Sequence, residues 1–219
     1  MLRINSLILT LLLFSINPIH ASEDQASPGN WEFVGDGFTS TVDDAVLISE
    51  FPGSKGVMLV SPSAYGNEIT VRFKVMPLNP ESVLVAMLST SDAGPATTLT
   101  FPNDYDGNIS TLLEQVDCYF FAFHNAAHKR TPFVRKHPFI KGESKDLDAA
   151  EANIMTTQWQ QVELTTSAQG AVKMKVDGQA VLNTVDGEPL PGGKILFRLR
   201  GTKTHTATAL IKDLEIVSD

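Results

Sequence analysis

The chain has 219 residues, with 17 Lys+Arg against 25 Asp+Glu and a formal net charge of −8. That acidic balance argues against nucleic acid as a partner, because backbone-driven binding needs a positive field. A single cysteine, Cys118, excludes an internal disulfide and a cysteine-based zinc site.

Arg3, the apolar run Leu7–Phe14 and the Ile19-His20-Ala21 boundary read as a cleavable signal peptide over residues 1–21. The run is too short to span a bilayer, so no membrane span is expected and the protein is placed in the periplasm or outside the cell. Residues 22–219 read as one domain, because no polar linker splits them. Within them, 16 basic side chains face 25 acidic ones.

Residues 22–30 read as a loose leader, and Trp31-Glu32-Phe33 starts a first strand. Strands over 45–50 and 56–60 flank a Pro-Gly turn at Phe51–Lys55, and Ser61–Asn67 reads as a further turn. The cleanest alternation follows: Ile69, Val71, Phe73 and Val75 point one way, Thr70, Arg72 and Lys74 the other. Val83–Leu88 is apolar on both faces and suits a central strand. Residues 95–101 read as a short strand and 101–108 as a loop. In the aromatic strand that follows, alternation puts Cys118, Phe120, Ala122 and His124 on one face, and Asp117, Tyr119, Phe121 and Phe123 on the other. The thiol is expected to be buried there.

The charged stretch 141–153 is given at most one helical turn. Residues 159–165, 171–176 and 179–182 form a meander, its Asp177-Gly178 suited to a type I′ hairpin. Strands over 194–200 and 207–217 close the chain. Roughly ten to thirteen short strands with no long helix predict an all-β, two-layer sandwich or jelly roll.

Six of the basic residues cluster between Lys129 and Lys145, next to the aromatic strand. Such a local positive field suits the carboxylate or sulfate groups of an acidic glycan. Arg135, Lys136, Arg198 and Arg200 are the candidate substrate-binding residues, the arginines preferred because a guanidinium pairs bidentately with a carboxylate. Arg198 and Arg200 share one strand face; either a solvent-filled groove or ordinary salt bridges on an outer face would accommodate them. Arg72 and Lys74 pose the same alternative. His124 is a candidate general base or acid, and Tyr119 and Tyr105 are further candidate acids. His124 and His128 stand four apart without a His-Glu-x-x-His pattern, so no metal site is expected. No cofactor is expected, with a structural calcium left open. The acidic pairs near apolar runs are Glu114 with Asp117 and Asp213 with Glu215, neither a persuasive match to the paired carboxylates of a retaining glycosidase.

Gly107-Asn108-Ile109, Tyr119-Phe120, Val134-Arg135-Lys136-His137-Pro138 and Ile195-Leu196-Phe197-Arg198, in that order, resemble an uncharacterised bacterial family of concanavalin A-like proteins associated with plant-polysaccharide degradation. Cys118 stands where that family carries serine, Phe121 where it carries arginine, His137 where it carries asparagine and Leu196 where glycine is usual. The resemblance implies a lectin/glucanase-type sandwich and a carbohydrate setting, with no established catalytic residue. The function expected is that of an exported glycan-binding or glycan-processing protein. A polysaccharide lyase using His or Tyr with Arg charge neutralisation, and a non-catalytic interaction sandwich, are the alternatives.

Overall fold

The computed structural model describes residues 27–92, 98–125, 132–138, 144–151 and 156–218. Two seven-stranded antiparallel sheets pack face to face. The first runs β1 (Glu32–Gly35), β4 (Val57–Tyr65), β13 (Gly193–Arg200), β6 (Val83–Asp92), β7 (Val116–Asn125), β8 (Phe133–His137), β9 (Lys145–Ala149). The second runs β12 (Gln179–Val185), β11 (Ala171–Val176), β10 (Gln160–Thr166), β5 (Ile69–Pro77), β14 (Thr208–Ser218), β3 (Ala45–Glu50), β2 (Gly37–Val42). Among the described residues no helix is long and apolar enough to cross a membrane.

The alternation in β5 works as expected: its apolar residues are buried between the sheets and Arg72 and Lys74 stand on the outer face. There Arg72 pairs with Glu163 and Glu215, and Lys74 with Asp213. The Asp213 and Glu215 carboxylates are therefore committed to surface ion pairs. Phe73 carries the core contact between sheets, its ring edge-on to Phe197 (4.8 Å) and to Phe123 (5.5 Å), while Trp31 stacks on Phe197 at 5.3 Å. Aromatic pairs in such offset and edge geometries add to the area they bury.

The central strands of the first sheet, β13, β6 and β7, are apolar on both faces because both are covered. One face meets the second sheet; on the other, a second cluster joins Met58, Val85, Met87, Cys118 and Leu196 to Leu112 of a short helix, α1 (Ile109–Leu113). Asn108 caps that helix, its side chain accepting from the Ser110 amide. Cys118 is fully buried there, and burial pushes its thiol pKa up.

The Phe51–Lys55 turn forms, the Ser54 amide donating to the Phe51 carbonyl at 3.1 Å, and it carries the chain from β3 in the second sheet to β4 in the first. Three local expectations change. Ser61–Tyr65 is not a turn but the end of β4, where a register shift against β13 accommodates Pro62, which has no N–H to give a ladder. Residues 98–101 carry no strand. Charged Lys145–Ala149 is a strand because it satisfies the edge of β8, not because it has an apolar face. At Asp177 and Gly178 φ is +49° and +77°, as a type I′ turn requires. Residues 1–21, together with His128, Lys129, Arg130 and Lys141, lie outside the described residues.

Candidate functional site

Strand register decides which candidates meet. Across β7 and β8, Phe120 is opposite Arg135, Cys118 opposite His137 and Ala122 opposite Phe133, all on the outer face of the first sheet. Tyr119 is opposite Lys136, and Phe121 opposite Val134, on the inner face. Side chains alternate along a strand, so Arg135 and Lys136 part company. On β13, Arg198 is opposite Met58 and Val85, and Arg200 opposite Val83, again on the outer face. Arg135, Arg198 and Arg200 thus converge from β8 and β13 on one side of the sheet.

They line a cavity of about 790 Å³. Its apolar part is Phe120 and Phe133, stacked at 6.3 Å, with Ile109 and Leu113 of α1. The Arg135 guanidinium lies 4.8 Å over the Phe133 ring and pairs through Nε with Asp146. His137 sits edge-on to Phe120 at 5.6 Å. The loop 201–206 supplies Thr202 and Lys203. No carboxylate is among the described residues that line this cavity, and Arg200 and Lys203 make no ion pair among the described residues.

Burial, with Arg135 next to it, lowers the His137 pKa to about 4 against the opposing pull of Asp146, so the ring is neutral at pH 7. Burial also lowers Arg198 to about 10; Tyr105 and Glu50 counter the fall and Arg200 adds to it. Arg198 stays charged at neutral pH. Its Nη2 donates to the carbonyls of Lys55 (2.9 Å) and Gly107 (3.4 Å), tying two loops together, while Nε has no partner among the described residues. A buried donor without an acceptor is costly.

Glu50 holds the loop from beneath. Its Oε1 accepts from the amides of Gly201 (2.5 Å) and Ala207 (3.0 Å), at the two ends of the loop. Burial raises the Glu50 pKa although both amides and the two arginines act against it.

Tyr119, Lys136 and His124 do not line the cavity. The Tyr119 hydroxyl donates to Asp186 Oδ2 (2.9 Å) and accepts from the Leu190 amide (3.1 Å), and burial raises its pKa. Lys136 pairs with the same Asp186 oxygen at 2.8 Å. These two residues hold the connection between β12 and β13 to the sandwich. His124 is buried opposite Leu84, beyond an irregularity in the β6–β7 ladder. Sequence reasoning missed His137, Phe133 and Lys203 as cavity residues. For the first two the signal was present: the same parity that selects Arg135 selects Phe133 and His137. Among the described residues no three His, Cys, Asp or Glu side chains gather as a metal site would need.

No protein-family model matches the chain, and no curated protein matches it in sequence. Solved structures do match. A Bacillus subtilis protein of unknown function with a galectin-like fold superposes with a TM-score of 0.71 at 17% identity, over 92% of this chain and 94% of that one. The carbohydrate recognition domain of Emp47p gives 0.60 at 10% identity, over 93% and 99%. The Bacillus licheniformis β-glucanase gives 0.54 at 12% identity, over 83% and 82%. The chain has a concanavalin A-like fold. At these identities the likeness establishes the architecture alone. The cavity of this concanavalin A-like chain lies on the face of the first sheet that is not packed against the second.

Proposed function

We propose that this protein binds an acidic glycan in the cavity on the outer face of its first sheet. The observation that carries the reading is the chemistry of the lining: Arg135, Arg198, Arg200 and Lys203 beside Phe120 and Phe133, with no carboxylate among the described lining residues. Cations beside aromatic side chains suit a sugar ring bearing a carboxylate or sulfate, which the Arg135 and Arg200 guanidinium groups engage through charged hydrogen bonds. The fold shared with carbohydrate-recognition and glucanase structures supports a sugar ligand by analogy. The motif order resembling the uncharacterised plant-polysaccharide family points the same way. An exported protein with residues 1–21 removed fits such a ligand; the intact mass of the native protein tests that part, and retention of Met1–Ala21 would refute it.

A glycan array containing uronate, sulfated and neutral polymers tests the main reading. Binding confined to acidic glycans, and weakened by Arg200→Ala, is the expected result. Selective binding of neutral glycans would refute it. Paired-carboxylate hydrolysis finds no support in this lining, since it needs two carboxyl groups flanking the bond.

His137 favours one second reading. A neutral imidazole beside Arg135, though a weak base at a pKa of about 4, would take the proton α to a uronate carboxylate while the arginines neutralise the developing charge. The bond from the β carbon to the glycosidic oxygen then breaks, its electron pair leaving on that oxygen, which takes a proton from water. That reaction leaves an unsaturated product absorbing in the ultraviolet. Its absence with every glycan that binds would leave the protein a lectin-like module.

A further inference from the structure

The loop 201–206 has a cavity on each side. The second, of about 440 Å³, lies between this loop and Phe51–Lys55. Arg200, Thr202, Lys203 and Thr204 line both cavities, so the two meet along the loop. At the second cavity Phe51 is 45% exposed, and its ring lies 5.7 Å from that of Phe38, itself 43% exposed. Two adjoining phenylalanines left in water are an apolar surface that folding does not account for. The cations between the cavities, Arg200 and Lys203, lack ion pairs among the described residues. Glu50, the one acid among the described residues of the second lining, is buried with Oε1 accepting from Gly201 and Ala207. By clasping both ends of the loop it presents Arg200 and Lys203 in a fixed place, which reduces the ordering cost of binding.

We infer that the two cavities form one continuous strip for a linear acidic oligosaccharide. One sugar sits in the first cavity over Phe120 and Phe133, the chain crosses the loop with its negative groups against Arg200 and Lys203, and a further sugar packs on Phe51. This rests on the acidic-glycan reading of the first cavity and adds a polymeric ligand and a second subsite.

Calorimetric titration with the dimer and the hexamer of galacturonic acid separates the two ideas. The wild-type protein should bind the hexamer at least about tenfold more tightly than the dimer. Phe51→Ala should erase that gain and leave dimer affinity unchanged, Phe51→Trp should keep it, and Arg135→Ala should weaken both ligands. If Phe51→Ala leaves the hexamer unaffected, or weakens both lengths equally, the second subsite is refuted while the first cavity can stand on its Arg135 result. If the wild-type protein binds neither length, the acidic-glycan reading fails for this polymer class and the strip fails with it.

Discussion

Arg135 and Lys136 are neighbours in sequence and lie on opposite faces of β8, the first at the outer cavity and the second against buried Asp186. The pair that a charge count treats as one patch is two devices with different work. Replacing each by alanine separates them. Arg135→Ala should weaken binding of an acidic glycan about tenfold to a hundredfold, from the roughly 1.5–3 kcal/mol of a charged hydrogen bond, with little change in melting temperature. Lys136→Ala should leave binding alone and lower stability, because Asp186 keeps a buried carboxylate without its ammonium. The Lys136 side chain is 13% exposed, so the loss should fall at or below the low end of the roughly 3–5 kcal/mol for breaking a buried pair. Urea unfolding and calorimetric titration of both variants check this.

His137 predicts a pH effect of definite sign. Its folded pKa, about 4, is below the ordinary 6.5, so between those values the unfolded chain binds a proton that the folded one refuses. Stability is complete above pH 6.5 and falls as pH drops towards 4. At about 1.4 kcal/mol per pKa unit the full effect is on the order of 3 kcal/mol. His137→Phe should flatten the dependence of melting temperature on pH across that window, measured against the wild type in the same buffers. An unchanged slope would show that the ring titrates normally.

What the sequence made legible follows locality. The β5 alternation and the Asp177-Gly178 turn depend on neighbours a few residues away, and both hold. The side to which Arg198 points was not legible, because β13 is buried on both faces and its hydrophobic pattern has no wet side to use as a reference. What covers the outer face is the stretch with α1, far from β13 in sequence. Lys145–Ala149 was misread for a related reason: an edge strand formed by pairing with β8 need not display its own periodicity. The division of Arg135 from Lys136 was available from parity alone; the attraction of a charge cluster obscured it.

Gly107 and Gly56 bring two loops into contact beside Arg198. Gly107 has φ +84°, and a Cβ there would overlap the Gly56 carbonyl. Gly107→Ala should therefore cost more than about 1 kcal/mol, both from the left-handed backbone and from separation of the loops that Arg198 bridges. Gly53 is the control, since it too has positive φ but only open space where a methyl group would stand. Gly53→Ala should carry the backbone penalty without the steric one. Equal losses in thermal melts would show that the loop contact contributes nothing.

Glu50 makes the opposite pH prediction to His137, and it links stability to binding. Burial raises its folded pKa above the usual 4.5, so the folded chain favours the protonated acid. Its contribution is fully present below the unfolded value and declines as pH rises through the folded one. Glu50→Gln keeps an oxygen to accept from Gly201 and Ala207 and has no charge to desolvate, so its stability should not decline across that window. Glu50→Ala leaves the two amides without their acceptor, at about 1–3 kcal/mol for each one that stays buried, and frees both ends of the loop. Affinity for a glycan that reaches Lys203 should then fall in Glu50→Ala and be retained in Glu50→Gln. If the two variants lose affinity equally, the carboxylate charge rather than the clasp is what the loop requires.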